Sequence, residues 1–325
     1  MTYKPPFEVR AKAIRMIAEI SALVERYIIR MEQGDSLRLR KVNRIKTIQG
    51  SLAIEGNNLS ESQITDILDG KQIVAPIREI QEVKNAIATY ELYGSLDPYS
   101  LKDLLKAHGI MMTALVDNPG RFRNSGVGVF AGTKAVHIAP PHDRVPALMR
   151  ELFGWLKKSE DHLLIKSCVF HYEFEYIHPF SDGNGRIGRL WQSLILGKLH
   201  PFFEYLPVEN MVYANQQKYY QAINQSSQKN DSGIFIDFML EEILDSLKMH
   251  QAKSSADVGV NVGVNVGVKI LDHICQNPGC RANTIAEALG VTRRTVERHI
   301  RNLRNQGKIE FRGAPKNGGY FHISH

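Results

Sequence analysis

The sequence of this 325-residue chain is organised around His-Pro-Phe-Ser-Asp-Gly-Asn-Gly-Arg-Ile-Gly-Arg, residues 178–189. Gly183 and Gly185 flank Asn184, and such small residues allow successive backbone N–H groups to converge on an anion. The apolar residues that follow predict a helix, whose positive N-terminal end would face the same anion. The segment therefore predicts a loop that binds phosphate.

Side chains of the same segment add reactive groups. Asp182 can hold Mg2+, a cation that proteins bind through one or two carboxylates together with substrate phosphates. Arg186 and Arg189 add donors for phosphate oxygens, and His178 is the side chain of the loop that exchanges a proton near neutral pH. The plainer alternative is a Gly/Asn-rich helix start whose charges are merely solvated.

The segment matches, at every specified position, the signature His-Pro-Phe-x-(Asp/Glu)-Gly-Asn-Gly-Arg-x-x-Arg, so the chain resembles the Fic (Fido-fold) family. The resemblance implies a mainly α fold, with a β-hairpin flap over a helical bundle, and a protein adenylyltransferase that uses ATP and Mg2+. It also implies a role for each residue of the loop: a base at His178, a core anchor at Phe180, a metal ligand at Asp182, and phosphate contacts from Gly183, Asn184, Gly185, Arg186 and Arg189.

A second resemblance lies upstream of the loop. Residues 51–56, Ser-Leu-Ala-Ile-Glu-Gly, resemble the family's inhibitory (Ser/Thr)-x-x-x-Glu-(Gly/Asn) helix, in the class that places it N-terminal to the catalytic loop. Ser51 and Glu55 are four residues apart and share one face of the helix predicted over about 39–55. By the resemblance, Glu55 would pair with Arg189 and occupy the place of the ATP γ-phosphate, which would make the enzyme autoinhibited.

Local signals predict three further features. Gly56 predicts the end of the inhibitory helix, and Ser60 with Gln63 has the spacing of a capping box that opens the next helix. Residues 127–138 predict a β-hairpin. By the family resemblance this hairpin is the flap, which holds a target protein by strand addition; a small packing hairpin is the alternative.

Two neighbouring tyrosines on a later helical segment, Tyr219 and Tyr220, are candidates for the wall against the adenine of ATP. The resemblance supports this role, because the corresponding helix of Fic proteins helps to close the nucleotide site. Tyrosines at helical spacing are more often core residues, so packing is the alternative. His171 lies on the helical face of His178 and is predicted to be a packed or hydrogen-bonded support.

The last part of the chain has a different sequence pattern. Residues 258–268 repeat a Val-Gly-Val-Asn unit, which predicts a linker over 251–268 that is too β-prone for a helix. This linker would add as an edge strand to the next domain or pair two chains into a homo-oligomer. Residues 269–325 follow the order of a winged helix-turn-helix, with two short helices and a two-stranded wing.

The charge of the chain is concentrated in this tail. Residues 269–325 hold ten Lys or Arg and four Asp or Glu, so they carry +6 of the net charge of +7. The second helix of the motif carries candidate contacts to DNA phosphates at Arg293, Arg294, Arg298 and Arg301. Such contacts are salt-sensitive. A module that serves only protein contact is the alternative.

The sequence predicts four consecutive regions: a helical region with the inhibitory helix over 1–100, a catalytic core over 101–250, the linker over 251–268, and the winged helix-turn-helix over 269–325. No apolar run reaches the roughly 18 to 20 residues that span a bilayer, and the N-terminus lacks an apolar signal core, so we expect a soluble, cytoplasmic protein. The three cysteines show neither a disulfide framework nor the spacing of a zinc site.

Together these features predict an adenylyltransferase that moves AMP from Mg-ATP to a Ser, Thr or Tyr hydroxyl of a target protein or of itself. Two alternatives remain open on the sequence alone. One is a DNA-binding transcriptional regulator whose Fic core senses nucleotide. The other is the reverse reaction, removal of AMP from a modified protein.

Overall fold

A computed structural model describes residues 3–31, 36–131, 134–206, 208–289, 293–305, 308–313 and 318–322. The helices are α1 Ala11–Met31, α2 Ser36–Ile54, α3 Glu61–Leu68, α4 Ile77–Glu91, α5 Leu101–Met111, α6 Val145–Lys158, α7 Leu163–Ile177, α8 Asn184–Leu199, α9 Val208–Ala214, α10 Gln216–Lys229, α11 Gly233–Gln276, α12 Ala282–Leu289 and α13 Arg293–Asn305. The strands are β1 Gly128–Ala131, β2 Lys134–Ile138, β3 Ile309–Arg312 and β4 Gly319–His322. The predicted mainly α class is confirmed.

The chain divides into two compact units, Met1–Lys248 and Met249–His325. Among the described residues, no helix combines the length and the apolar character needed to span a bilayer.

Helix α7 lies at the centre of the first unit. Every residue from Leu164 to Phe174 is buried, which is the pattern of a helix enclosed on all sides. Helix α8 packs along α7 and buries Trp191 and Ile195. Because residues 178–183 connect these two neighbouring helices, the loop lies where the C-terminus of one meets the N-terminus of the other.

Helix α2 packs against α8 and α9 through its last turns, where Ile48 and Leu52 are buried. It ends at Ile54, and Gly56 follows with a φ of 90°. This left-handed conformation suits glycine, which carries no Cβ. The predicted end of this helix at Gly56 is therefore confirmed, and it places Glu55 immediately beyond the last helical turn.

The start of α3 is also as predicted. Ser60 Oγ accepts a hydrogen bond from the Gln63 backbone N–H at 3.3 Å, and Gln63 Oε1 accepts one from the Ser60 N–H at 3.0 Å. The reciprocal pair is a capping box, which satisfies donors that the first helical turn leaves open.

Strands β1 and β2 form an antiparallel hairpin in which Gly128 pairs with Ile138 and Ala131 with Lys134. The predicted hairpin is confirmed at the level of the backbone. Residues 132–133 lie outside the described part of the chain.

The second unit has its own hydrophobic core. Its buried residues come from the end of α11, from α12, from α13 and from β3: Ile270, Ile274, Ile285, Ala286, Val296, Ile300, Leu303 and Ile309. Strands β3 and β4 pair antiparallel, with Ile309 opposite His322 and Arg312 opposite Gly319. The predicted winged helix-turn-helix is confirmed.

The repeat of valine, glycine and asparagine is helical, so its prediction as an extended, strand-like linker was wrong. Residues 258–268 lie within α11, which runs from Gly233 to Gln276. The low helix propensity of these residues costs at most about 1 kcal/mol each. A helix already formed on either side spares the repeat the cost of nucleation, and each added residue then gains a backbone hydrogen bond.

Candidate functional site

The loop between α7 and α8 reverses the chain through two residues in the left-handed region. His178 has a φ of 49° and Gly183 a φ of 82°. The His178 backbone N–H still donates to Phe174 O at 2.9 Å, and its carbonyl oxygen accepts from Arg123 Nε at 2.8 Å. His178 is therefore held by its backbone at the C-terminal end of the central helix.

Phe180 and Asn184 fix the shape of the loop from inside. Phe180 is fully buried. Asn184 Oδ1 accepts from the Phe180 N–H at 2.9 Å, and Asn184 Nδ2 donates to the Phe180 carbonyl oxygen at 2.9 Å. The Asn184 side chain is thus turned inward, and any contact of this residue with phosphate would come from its backbone N–H.

His108, on α5, supports the loop and was not found by sequence reasoning. Its ring stacks on Phe180 with centroids 3.6 Å apart, Nε2 lies 3.0 Å from the Asp182 carbonyl oxygen, and Nδ1 accepts from the Gly120 N–H at 2.8 Å. Burial lowers the pKa of His108 to about 4, so the ring is neutral at pH 7. Neutral imidazole has one donor and one acceptor, which matches these two contacts.

The carboxylate of Asp182 is 41% exposed at the mouth of the loop. Its Oδ1 accepts from the Gly183 N–H at 2.6 Å and lies 3.3 Å from Arg186 Nη2, while Oδ2 lies 3.5 Å from Arg78 Nη2. Within the described residues, no cluster of three or more His, Cys, Asp or Glu side chains could hold a metal alone. A single carboxylate that shares Mg2+ with substrate phosphates fits this arrangement.

Arg186 is buried, with 2% exposure, although it carries a charge. Its Nη1 lies 3.7 Å from Glu82 Oε1, but neither Nε nor Nη1 has a hydrogen-bond partner within the described part of the chain. Buried donors without acceptors are costly. A phosphate oxygen at the loop would satisfy them.

Arg189 and Glu55 form a close ion pair. Arg189 Nη2 donates to Glu55 Oε1 at 2.7 Å and to the Ser51 carbonyl oxygen at 2.9 Å, and Nε lies 3.3 Å from Ser51 Oγ. The Arg189 side chain is 3% exposed and that of Glu55 is 31% exposed. The structure thus brings together all three residues that the sequence analysis connected across the chain.

Gly185 explains how Glu55 comes so near to the loop. A Cβ at this position would lie 2.6 Å from Glu55 Oε1 and 2.8 Å from Arg189 Nη1. Since α8 begins at Asn184, the Glu55 carboxylate lies against its first turn, where the N-terminal end of a helix favours a negative charge. A carboxylate of the chain therefore occupies the region in which the sequence predicts a phosphate.

Tyr219 and Tyr220 differ in their surroundings. Tyr219 is 2% exposed, and its hydroxyl lies 2.9 Å from His171 Nε2, because its position on α10 faces the buried side of α7. This contact fits the packing alternative, and a role of Tyr219 toward adenine stays a prediction. Tyr220 is half-buried, and its role toward adenine stays a prediction. His171 is fully buried and also contacts Gln192 Oε1 at 2.7 Å, as predicted for a hydrogen-bonded support.

Comparisons with known proteins show which family this chain resembles. Residues 98–196 match the Fic/DOC family model. The crystal structure of a Fic family protein from Desulfovibrio desulfuricans G20 is 40% identical, covers 99% of both chains, and superposes with a TM-score of 0.78. The chain belongs to the Fic family. Residues 134–508 of Fic-1 from Caenorhabditis elegans, 19% identical with a TM-score of 0.60 over 75% of this chain and 73% of that one, share the fold.

Curated relatives of this Fic protein carry a named activity. The protein adenylyltransferase Fic of Culex quinquefasciatus is 32% identical over 197 residues, which is 53% of this chain and 38% of that protein. The protein adenylyltransferase Fic of Nematostella vectensis is 27% identical over 192 residues, covering 55% of this chain and 42% of that protein. The Fic chain therefore spans about two fifths of the length of these relatives.

The second unit of this Fic protein matches a winged helix-turn-helix DNA-binding model over residues 267–310. Helix α13 buries Val296 and Ile300 on one face. Arg293 and Arg301 are exposed, and Arg293 Nε lies 2.7 Å from Glu297 Oε1. The side chains of the other two candidates, Arg294 and Arg298, lie outside the described part of the chain.

Proposed function

We propose that this Fic protein is an autoinhibited protein adenylyltransferase. It transfers AMP from ATP to a Ser, Thr or Tyr hydroxyl of a target protein or of its own chain. The loop at residues 178–189 supports this reaction class, since it joins a titratable histidine to a glycine-bounded helix start and two buried arginines. The relatives named protein adenylyltransferases support the choice of nucleotide.

In this reaction His178 takes the proton of the attacking hydroxyl. The hydroxyl oxygen forms a bond to the α-phosphorus of ATP, and the bond from that phosphorus to pyrophosphate breaks. General base catalysis of this kind contributes about 10²- to 10⁴-fold to a rate. The position of His178 at the end of α7, held through its backbone by Phe174 and Arg123, supports this role.

The phosphates would bind to the start of α8. The backbone N–H groups of Asn184 and Gly185 in the first turn of α8 support this placement. So do Nε and Nη1 of Arg186, which have no hydrogen-bond partner within the described residues. Asp182 would hold Mg2+ together with the phosphates, and the metal would supply charge neutralisation there. Arg189 would bind the outer phosphates once Glu55 leaves it.

The ion pair between Glu55 Oε1 and Arg189 Nη2, at 2.7 Å, is the observation that carries the proposed inhibition. A γ-phosphate that needs Arg189 must displace the Glu55 carboxylate, because both are anions and would use the same donors. Glu55→Gly should therefore raise the rate of AMP transfer by about 10- to 100-fold, which is within the range of coupling typical between two regulatory sites.

The test is incubation of wild type, E55G and E55G/H178A with Mg2+ and α-labelled ATP, followed by mass spectrometry of every labelled protein. We expect strong labelling with E55G and none with E55G/H178A. Equal labelling with wild type and E55G would exclude the inhibitory role of Glu55. Label that persists without His178 would exclude it as the base.

A DNA-binding role of the second unit has separate support. The match of residues 267–310 to a DNA-binding winged helix and the exposed arginines of α13 favour it. Because contacts to phosphate release counterions, the affinity should fall steeply as the salt concentration rises. A gel-shift series of the full chain over several salt concentrations tests this, and the absence of any DNA binding at low salt would leave the second unit a protein-contact module.

A further inference from the structure

Glu175 is a carboxylate on the central helix to which the proposed mechanism assigns no role. It lies one turn before His178, with Oε2 at 3.9 Å from His178 Nδ1. Its side chain is 12% exposed, and its other oxygen, Oε1, is buried without a hydrogen-bond partner in the described part of the chain. A buried carboxylate that is poorly satisfied is costly and calls for an explanation.

His171, the other histidine near Glu175, does not explain why this carboxylate is buried. His171 Nε2 lies 3.9 Å from Glu175 Oε1, but its two ring nitrogens already contact Gln192 and the Tyr219 hydroxyl. Burial lowers the pKa of His171 to about 4, so this ring stays neutral. Glu175 therefore faces a titratable partner at His178 and a neutral, fully engaged ring at His171.

Gly188, on helix α8, provides the space for the Glu175 carboxylate. A Cβ at Gly188 would lie 2.9 Å from Glu175 Oε1. Any side chain at position 188 would thus push Glu175 away from its place beside His178. The glycine keeps this face of α8 open for the carboxylate.

We propose that Glu175 is the positioning residue of His178. The 3.9 Å contact tightens when substrate binds, as catalytic contacts of ligand-free enzymes often do. The carboxylate then accepts the Nδ1–H of the imidazole, which leaves Nε2 unprotonated and directed at the hydroxyl. When Nε2 takes the proton of that hydroxyl, Glu175 stabilises the imidazolium and keeps its own charge. A carboxylate behind a general-base histidine fixes the tautomer and the orientation in this way. The inference rests on the proposed function for its catalytic consequence.

Glu55 and Arg189 also face Glu175, and they link it to the proposed inhibition. Burial raises the pKa of Glu175 to about 7, while Arg189 lowers it and Glu55 raises it. Among the described residues, His171, His178, Tyr219 and Tyr220 also interact with Glu175. Removal of the Glu55 charge should therefore favour the ionised form of Glu175, which is the form that positions His178.

The experiment compares E175Q with E173Q, both in the E55G background. Glu173 is a matched control, because it is a buried glutamate two residues earlier on α7 whose Oε2 bonds to the Tyr3 hydroxyl at 2.8 Å. We expect E175Q to lower kcat by about 10- to 100-fold, as for carboxylates behind metal-bound histidines, with little change in KM for ATP. E173Q should leave both constants near those of E55G. Equal kcat values for the two variants would overturn the proposal.

A second readout does not depend on activity. The His178 ring, labelled with 15N and assigned by comparison with H178N, should titrate at a lower pH in E175Q than in E173Q, because the nearby negative charge is lost. Identical titrations would overturn the proposal even if no variant transfers AMP. If E175Q unfolds, E175D and E175A replace it. E175D keeps the negative charge, so its His178 ring should titrate at a higher pH than the ring of E175A. Equal titration of His178 in these two variants would also overturn the proposal.

Discussion

The Asn184 side chain is both a hydrogen-bond donor and an acceptor to the backbone of its own loop. Its amide donates to the Phe180 carbonyl oxygen and accepts from the Phe180 N–H, four residues earlier, and both residues are buried. The side chain of the motif residue that most suggests ligand recognition by sequence thus holds the loop in shape, and in the proposed function Asn184 would reach phosphate only through its backbone N–H. Such prior ordering lowers the entropic cost of binding.

Asn184→Ala should destabilise the first unit by about 2 to 4 kcal/mol, because it leaves one buried N–H and one buried C=O of Phe180 without partners. Urea unfolding followed by tryptophan fluorescence measures this in the first unit alone, since both tryptophans, Trp155 and Trp191, lie there. Asn58→Ala is the control, because its bond to the Gly56 carbonyl oxygen is exposed. A loss at Asn184 no larger than at Asn58 would contradict the buried pair.

Glu173 should make stability depend on pH. Burial raises its pKa from 4.5 to about 7, so the folded state binds the proton more tightly, and stability falls as the pH rises from 4.5 to 7. Glu173→Gln removes this loss, and its advantage over wild type should grow by about 2 to 3 kcal/mol across that range. Unfolding free energies at pH 5 and pH 8 measure it. Glu91→Gln, at an exposed position, is the control, and its difference from wild type in unfolding free energy should be the same at both pH values. The same result for E173Q would refute the raised pKa of Glu173.

At the scale of the element, the end of α2 decides where the Glu55 carboxylate lies. Ser51 is in the last turn, Glu55 follows the helix, and Gly56 turns the chain away with a φ of 90°. The left-handed backbone of Gly56 thus ends the helix just before Glu55, whose side chain reaches Arg189. The sequence predicted this feature because glycine after a helical pattern is a strong local signal.

Gly56→Ala should destabilise the first unit by about 1 to 2 kcal/mol, since an L-residue is strained at positive φ. Gly154→Ala is the matched substitution in the middle of α6. A Cβ at either position meets nothing within 4 Å, so only the backbone differs, and G154A should stabilise by up to about 1 kcal/mol. Tryptophan-detected unfolding compares the two. The same sign for both variants would be inconsistent with this argument.

Other elements show where local patterns fail. The Val-Gly-Val-Asn repeat has strand-forming residues, but it is helical as part of α11 because the flanking helix propagates through it. Tyr219 and Tyr220 are neighbours in sequence, but only the first enters the core. Which of two adjacent positions is buried depends on how α10 is rotated against α7, and sequence spacing alone does not give that rotation.

On the scale of the whole molecule, charge and chemistry are divided between the two units. The predicted catalytic residues lie within Met1–Lys248, and most of the net positive charge lies in residues 269–325. Each unit has its own hydrophobic core. We therefore expect nucleic-acid affinity to respond to changes in the second unit.

Arg301→Glu with Arg304→Glu should reduce DNA affinity by at least about tenfold at low salt, because two phosphate contacts are replaced by repulsion. Both residues are exposed on α13. Lys102→Glu with Lys106→Glu makes the same change in net charge on exposed positions of the first unit. Gel shifts of the full chain compare them, and an equal effect of both double variants would mean that only the total charge matters.

The sequence was sufficient for the loop, because its motif has fixed spacing, and for the winged helix-turn-helix, because the order of its helices and strands is visible locally. The pair of Glu55 and Arg189 was implied by the resemblance to the family. The sequence did not reveal His108, Arg123, Arg78 or Glu82. These residues reach the loop from other helices and loops, and no local pattern marks them. Glu175 is an intermediate case: its spacing from His178 was visible, but its burial and the open space at Gly188 were not.

The contact between Glu55 and Arg189 joins two parts of one polypeptide, so its strength is independent of protein concentration. A carboxylate that the fold holds near its partner acts as a ligand at a fixed effective concentration. In the proposed inhibition, free ATP competes against that constant value. Dilution cannot relieve the block, whereas any event that frays the last turn of α2 lowers the effective concentration and shifts the competition toward nucleotide.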